Sequence, residues 1–152
     1  MSLNDGTADM GLKPVGYVRN GITDFDGHDW QDIISEIVVL PELTEALDNL
    51  DEFSHIIVLS WLHRADNEPI RTKMRMQHNP HKPLVGLFAT RSPDRPNPIG
   101  KTTVKLLERR GNILKVKGLD AFDGTPVLDI KPFIPDYDSP GEANVPEWVR
   151  TK

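Results

Sequence analysis

Residues 90–102 read TRSPDRPNPIGKT and set Arg91, Ser92, Arg95 and Asn97 among Pro93, Pro96 and Pro98, between the apolar stretches LVGLFA and TVKLL. Each proline fixes its own φ and biases the residue before it toward extended backbone, so Ser92, Arg95 and Asn97 are displayed on a chain with little freedom left to lose. Guanidinium groups suit carboxylates, phosphates and stacked rings, while Ser92 and Asn97 can both donate and accept. The pattern suits a preorganised platform for a small polar or anionic group. A proline-rich turn salt-bridged through Asp94 is the alternative.

Two further stretches carry chemistry. In AFDGTPVLDIKPF (121–133), Asp123-Gly124 makes a turn, and Asp129 and Lys131 share one face of the strand that follows. Such a pair would bind an amino-acid zwitterion or form a surface ion pair of little energetic value. The segment Trp61-Leu62-His63-Arg64 ends an apolar run in two polar residues, a common placement for ligand contacts.

Other motifs fail on inspection. Gly100-Lys101-Thr102 resembles the end of a phosphate-binding loop, but Arg95 stands where that loop requires glycine. There is no GxGxxG for a dinucleotide. His78 and His81 are separated by Pro80, and no carboxylate lies between Glu68 and Asp94 to complete a metal site. No metal is expected. The absence of cysteine removes disulfides and thiolate chemistry.

The elements that must hold these residues follow from periodicity. PVGYVRNGI (14–22) alternates as a strand, with Val15, Tyr17 or their neighbours facing inward. DIISEIVVL (32–40) is a second strand, and PELTEALDNLDEF (41–53) a helix opened by Pro41 with Leu43, Leu47 and Leu50 on one face. HIIVLSWLH (55–63) reads as a central strand buried on both sides. Residues 64–83 read as a long loop and LVGLFAT (84–90) as a strand. TTVKLLERR (102–110) and NILKVKGLD (112–120) form a hairpin, and TPVLDIKPF (125–133) closes the set. About seven short strands with one clear helix predict a mainly β protein, a single-sheet β-barrel with long loops, because closure removes edges that such apolar strands would expose.

At 152 residues the chain suits one domain, able to bury roughly 70% of its unfolded surface. Residues 1–13 read as a flexible N-terminus, 14–138 as the barrel, and 139–152 as a tail packed on the surface or frayed. No apolar run approaches the ~20 residues of a membrane span, and residues 1–11 lack the features of a secretory signal; a cytoplasmic location is expected. The net charge of −5 argues against gripping nucleic acid by bulk charge, yet it is unevenly spread. Arg71, Lys73, Arg75, Lys82 and Arg91 fall in a stretch free of carboxylates, whereas Asp120 to Glu147 is strongly acidic. One side is compatible with an anionic partner.

FATRSPDRPNPIGKT (88–102), LDAFDGTPVLDIKPFIPDYD (119–138) and FSHIIVLSWLHR (53–64) together resemble, in order, the signature blocks of the TsaA-like, or TrmO, family. The resemblance runs from about Pro14 to Asp138. It implies a β-barrel that binds S-adenosylmethionine, works as a homodimer with the cofactor near the subunit interface, and methylates N6 of threonylcarbamoyl-adenosine beside the tRNA anticodon. Carried onto this chain, it places cofactor contacts at Asp29, Trp30 and Gln31, at His63 and Arg64, at Arg91, and at Phe122, Asp123, Gly124 and Thr125. Arg91, Ser92, Arg95 and Asn97 would form the active-site loop.

Methyl transfer from a sulfonium is an in-line displacement, which requires donor and acceptor to be held within about 3–3.5 Å, a task suited to a rigid loop. The ureido N6 is acidic enough that water can take its proton. The threonyl carboxylate would pair with Arg95 or with Lys131 beside Asp129, and Arg71, Lys73 and Arg75 would meet tRNA phosphates. Two alternatives stay open: another small-molecule or nucleic-acid acceptor, or a non-catalytic cofactor-binding module.

Overall fold

The computed structural model describes residues 10–24, 27, 29–63 and 69–150. Six antiparallel strands close into one barrel in the order β1-β2-β7-β6-β3-β8, and β4 and β5 form a separate two-stranded ribbon. The strands are β1 (Gly16–Arg19), β2 (Ile34–Val39), β3 (His55–Trp61), β4 (Lys73–Arg75), β5 (Leu84–Gly86), β6 (Ile99–Arg110), β7 (Ile113–Lys117) and β8 (Pro126–Pro132). The expected mainly β barrel is the observed one.

The interior is aliphatic. Ile37, Ile56, Val58, Val104, Leu114, Val116, Leu119 and Val127 are almost wholly removed from solvent and belong to one continuous cluster. Ile56, Ile57 and Val58 are buried in succession, as expected for a strand covered on both faces. β6 is long enough to serve two neighbours: residues Ile99–Lys105 pair with β3, and its far half pairs with β7 through a bulge between Leu106 and Glu108. The β6–β7 turn falls at Gly111-Asn112, where Gly111 takes φ 58°.

Several local expectations are refined. In β1 the inward residues are Gly16 and Val18, while Tyr17 points out and is 43% exposed. The segment 41–53 forms two 3-10 turns, Pro41–Leu47 and Leu50–Glu52, instead of one α-helix. Between them Asp48 is extended and Asn49 adopts φ 69°, with its side-chain amide donating to Glu52 Oε2 at 2.8 Å. Leu43, Leu47 and Leu50 still pack on the core, so the apolar spacing serves its purpose without a continuous α-helix. The strand expected over 84–90 ends at Gly86 and passes into a 3-10 turn, Leu87–Ala89. Part of the expected loop 64–83 is β4.

The chain ends in two short helices, α1 (Pro135–Asp138) and α2 (Glu147–Arg150). Lys82 is only 3% exposed, and its ammonium donates to the Trp148 carbonyl, which fastens α2 to the arm that carries β4 and β5. Among the described residues, no helix is long and apolar enough to cross a membrane.

Gly16 shows how closely the strands approach. A Cβ placed there would lie 2.6 Å from the Val38 carbonyl oxygen and 3.0 Å from Val39 Cα, both backbone atoms that cannot swing aside. Gly16→Ala should therefore destabilise the barrel by about 1–3 kcal/mol, the usual range for forced overpacking, measured as a lowered midpoint in denaturant titration.

Candidate functional site

A cleft of about 610 Å³ opens at the end of the barrel where β3 finishes and β6 begins. Four segments meet there. The signature loop contributes Arg91, Ser92, Pro93 and Arg95 and runs into Ile99–Thr102 of β6; the end of β3 contributes Leu62 and His63. Trp30 supplies one wall, and Asp120–Phe122 with Thr125 another. The register explains the meeting, since Trp61 pairs with Ile99 and the Leu62 N–H donates to the Pro98 carbonyl at 2.7 Å.

The signature loop is fixed by its own hydrogen bonds. Thr90 is buried; its hydroxyl donates to the Leu87 carbonyl at 2.7 Å, and the Asp94 N–H donates to Ser92 Oγ at 3.2 Å. Arg95 folds back over the loop, with Nη1 donating to the carbonyls of Thr90 at 2.8 Å and Ser92 at 3.3 Å. Its guanidinium carbon lies 5.5 Å from the centroid of the Phe88 ring, a cation–π contact. Asp94 forms no ion pair with either arginine. Arg91 is exposed, lines the cleft, and makes no side-chain hydrogen bond or ion pair among the described residues.

The opposite wall hangs on the 119–125 turn. The Asp123 carboxylate accepts the backbone N–H of Asn20 at 2.8 Å and of Gly21 at 3.0 Å. The Gly124 N–H donates to Val18 at 2.8 Å, with Gly124 at φ 81°. Asn20 Nδ2 adds bonds to the Ala121 carbonyl at 2.9 Å and Ser35 Oγ at 3.0 Å. Phe122 is thereby held edge-on to Trp30, with ring centroids 5.6 Å apart and planes at 77°. Trp30 itself opens a 3-10 turn that Asp29 caps by accepting the Gln31 N–H at 3.1 Å.

The residues singled out in the sequence divide accordingly. Arg91, Ser92, Arg95, Trp30, His63, Phe122 and Thr125 line the cleft together. Asp29, Gln31, Asp123 and Gly124 adjoin lining residues in the chain without lining the cleft themselves, Asn97 is exposed and does not line it, and Arg64 falls outside the described residues. Asp129 and Lys131 are not in the cleft. They pair with each other at 2.9 Å, both side chains about half exposed, and Asp129 borders a separate apolar depression beside Leu43 and Phe53. Arg71, Lys73 and Arg75 are exposed on the arm, where Arg75 Nη1 donates to the Lys82 carbonyl.

Sequence reasoning passed over Asp120, Lys101 and Thr102. The lysine and threonine were visible only as a failed phosphate-loop motif, and Asp120 only as part of an acidic run. Partial desolvation raises the exposed Asp120 carboxyl from its ordinary value, whereas the two backbone N–H donors, Gly21 first and then Asn20, with the charge of Arg19, lower that of Asp123. Among the described residues, no group of three or more His, Asp and Glu side chains could hold a metal ion.

Asp123→Ala should lower stability by about 0.5–1.5 kcal/mol near neutral pH, because it removes the acceptor of two backbone N–H groups, while Asp123→Asn keeps an acceptor and should lose less. A lowered folded value means that the carboxylate's contribution is present above the ordinary value of 3.8 and is lost as pH falls through the depressed folded value. Denaturant titrations of wild type and Asp123→Ala should converge in acid.

Residues 23–139 match the family model described as the tRNA-methyltransferase O N-terminal domain. The chain is 44% identical over 138 residues to a probable S-adenosyl-L-methionine-binding protein of Archaeoglobus fulgidus, covering 88% of this chain and 37% of that protein. It is 45% identical over 101 residues to a tRNA (adenine(37)-N6)-methyltransferase of Mus musculus, covering 66% of this chain and 23% of that one. The crystal structure of TrmO from Pseudomonas aeruginosa superposes with a TM-score of 0.71 at 31% identity, over 89% of this chain and 60% of that one. The chain thus spans between about a quarter and three fifths of the length of these relatives.

Proposed function

This chain belongs to the tRNA-methyltransferase O N-terminal domain family, and from that premise we propose that its cleft binds S-adenosylmethionine and methylates N6 of an adenosine in tRNA. The observation that carries the reading is one cleft in which a hydrogen-bonded, proline-stiffened loop presents Arg91 opposite the Trp30–Phe122 pair. Its volume of about 610 Å³ lies within the ~300–1,000 Å³ common for cofactor sites.

The donor set fits the cofactor. Arg91, with its donors uncommitted among the described residues, suits the carboxylate of an amino-acid moiety. Trp30 and Phe122 offer aromatic surface to a purine, and Thr125, whose hydroxyl donates to the Phe122 carbonyl at 2.7 Å, holds that wall in place. When bound, the cofactor supplies an electrophilic methyl group on a cationic sulfur. What the protein adds is position: a loop whose carbonyls are tied by Arg95 and whose φ angles are set by three prolines holds its side chains without reorganising during the reaction.

The acceptor in this reading is threonylcarbamoyl-adenosine at position 37. Its free carboxylate calls for a cation at the cleft. Arg95 and Lys101 line it, whereas Lys131 is paired with Asp129 elsewhere. Arg95 uses Nη1 for loop carbonyls and can still present its other donors. The exposed cations Arg71, Lys73 and Arg75 extend the positive surface along the arm toward the phosphate backbone. A homodimer with the cofactor near its interface is part of the same reading, and exposed Phe88 and Ile99 supply apolar surface around the signature loop.

Arg91→Ala should weaken S-adenosylmethionine binding by at least about tenfold in calorimetric titration and abolish methylation, with thermal unfolding unchanged because the side chain supports nothing else. Methylation of threonylcarbamoylated tRNA should disappear when tRNA lacking that modification is supplied. Equal activity on both tRNAs would show a different acceptor, and binding without turnover on any tRNA would show a cofactor-binding module.

A further inference from the structure

Asp120 is the single carboxylate that lines the cleft among the described residues. Everything charged around it is cationic or potentially so: Arg91 and Arg95 from the signature loop, Lys101 from β6, and His63 from the end of β3. Yet its carboxylate makes no hydrogen bond or ion pair with any described residue. Asp123, three positions on, has its oxygen filled by two backbone donors and is locked into the fold. Asp120 has no such structural task. Its side chain is exposed to the cleft, so the carboxylate is open to a cation that arrives from outside.

We infer that Asp120 makes the cleft selective for charge, its carboxylate facing the sulfonium of the methyl donor so that the cationic cofactor is held more tightly than the neutral thioether left after transfer. The inference rests on the cofactor reading above. In the transfer the acceptor nitrogen's lone pair forms the new C–N bond, the S–C bonding electrons stay on sulfur, and the N6 proton leaves to water. The positive charge that attracted Asp120 is thus gone from sulfur once the reaction is over. With the attraction removed, Asp120 no longer adds to the hold on the ligand, which favours release of the product.

The alternatives have different signatures. If Asp120 served the cofactor's ammonium, it would act on S-adenosylmethionine and S-adenosylhomocysteine alike, because both carry that group. If it only took the N6 proton, it would change turnover without changing the binding of either.

The test is calorimetric titration of the full chain with each ligand, using wild type, Asp120→Asn and Asp120→Glu. Wild type should prefer S-adenosylmethionine. Asp120→Asn should lose about tenfold in affinity for S-adenosylmethionine and less than about twofold for S-adenosylhomocysteine, and Asp120→Glu should retain the preference. Parallel losses, or an unchanged ratio in Asp120→Asn, would overturn the inference while leaving the cofactor reading intact. Failure of wild type to bind either ligand would remove the cofactor reading and this inference with it. Thermal unfolding of each variant identifies any loss that comes from misfolding, and in that event the folded Asp120→Glu protein decides: a preference for S-adenosylmethionine kept near wild type supports the inference, and loss of that preference overturns it.

Discussion

Closure of the sheet through β8 is the constraint on which the cleft depends. β8 pairs with β3 along most of its length and with the start of β1 on its other edge, so a strand that ends the barrel in sequence also seals it in space. This closure brings the 119–125 turn, which leads into β8, to the end of the barrel where β3 gives way to His63 and the signature loop enters β6. Without it, two motifs separated by about thirty residues would face different solvents. The Asp123 carboxylate completes the arrangement by tying that turn to the backbone that follows β1. A group that carries a functional signature in the sequence thus works here as a brace, and Phe122 beside it presents the surface.

The electrostatics of the cleft run against those of the chain. A protein of net charge −5 concentrates Arg91, Arg95 and Lys101 at one opening and keeps the Asp129–Lys131 pair away from it. Screening limits the reach of exposed charges to about 8–10 Å at ordinary ionic strength, so a ligand at the cleft responds to these neighbours and hardly at all to the average. Net charge therefore says little about whether an anionic substrate is accepted. It bears more on how firmly a long polyanion is held; on the arm, Arg71, Lys73 and Arg75 are exposed in a stretch free of carboxylates.

Much of this was legible in the sequence, and what was not has identifiable causes. The barrel followed from short apolar strands that needed covered edges, and the rigidity of the signature loop from its prolines. The shared face of Asp129 and Lys131 followed from the period of two, and they do form an ion pair; which end of the barrel they would occupy depends on strand pairing, which no local pattern reveals. The leucine spacing in 41–53 correctly marked a core-facing segment, but the left-handed Asn49 that divides it into two 3-10 turns left no mark in that spacing. β4, at Lys73–Arg75, is too short to show a period, and Asp120 resembled any other member of an acidic run until the fold set it against cations.

The two arginines of the signature loop illustrate how one motif divides its labour. Arg95 is committed: it bonds two carbonyls of its own loop and lies near the face of Phe88, so its loss would loosen the backbone that carries its neighbours. Arg91 is uncommitted, exposed at the cleft and held in place only by the backbone that Arg95 secures. A flexible loop would have to lose its conformational freedom each time a ligand bound, at about 1–2 kcal/mol for each residue ordered. Here prolines and hydrogen bonds within the loop remove most of that freedom during folding, so Arg91 stands on backbone that is already ordered. Substituting one arginine for analysis of the other's role would therefore mislead, since removal of Arg95 acts through Arg91 as well as through its own contacts.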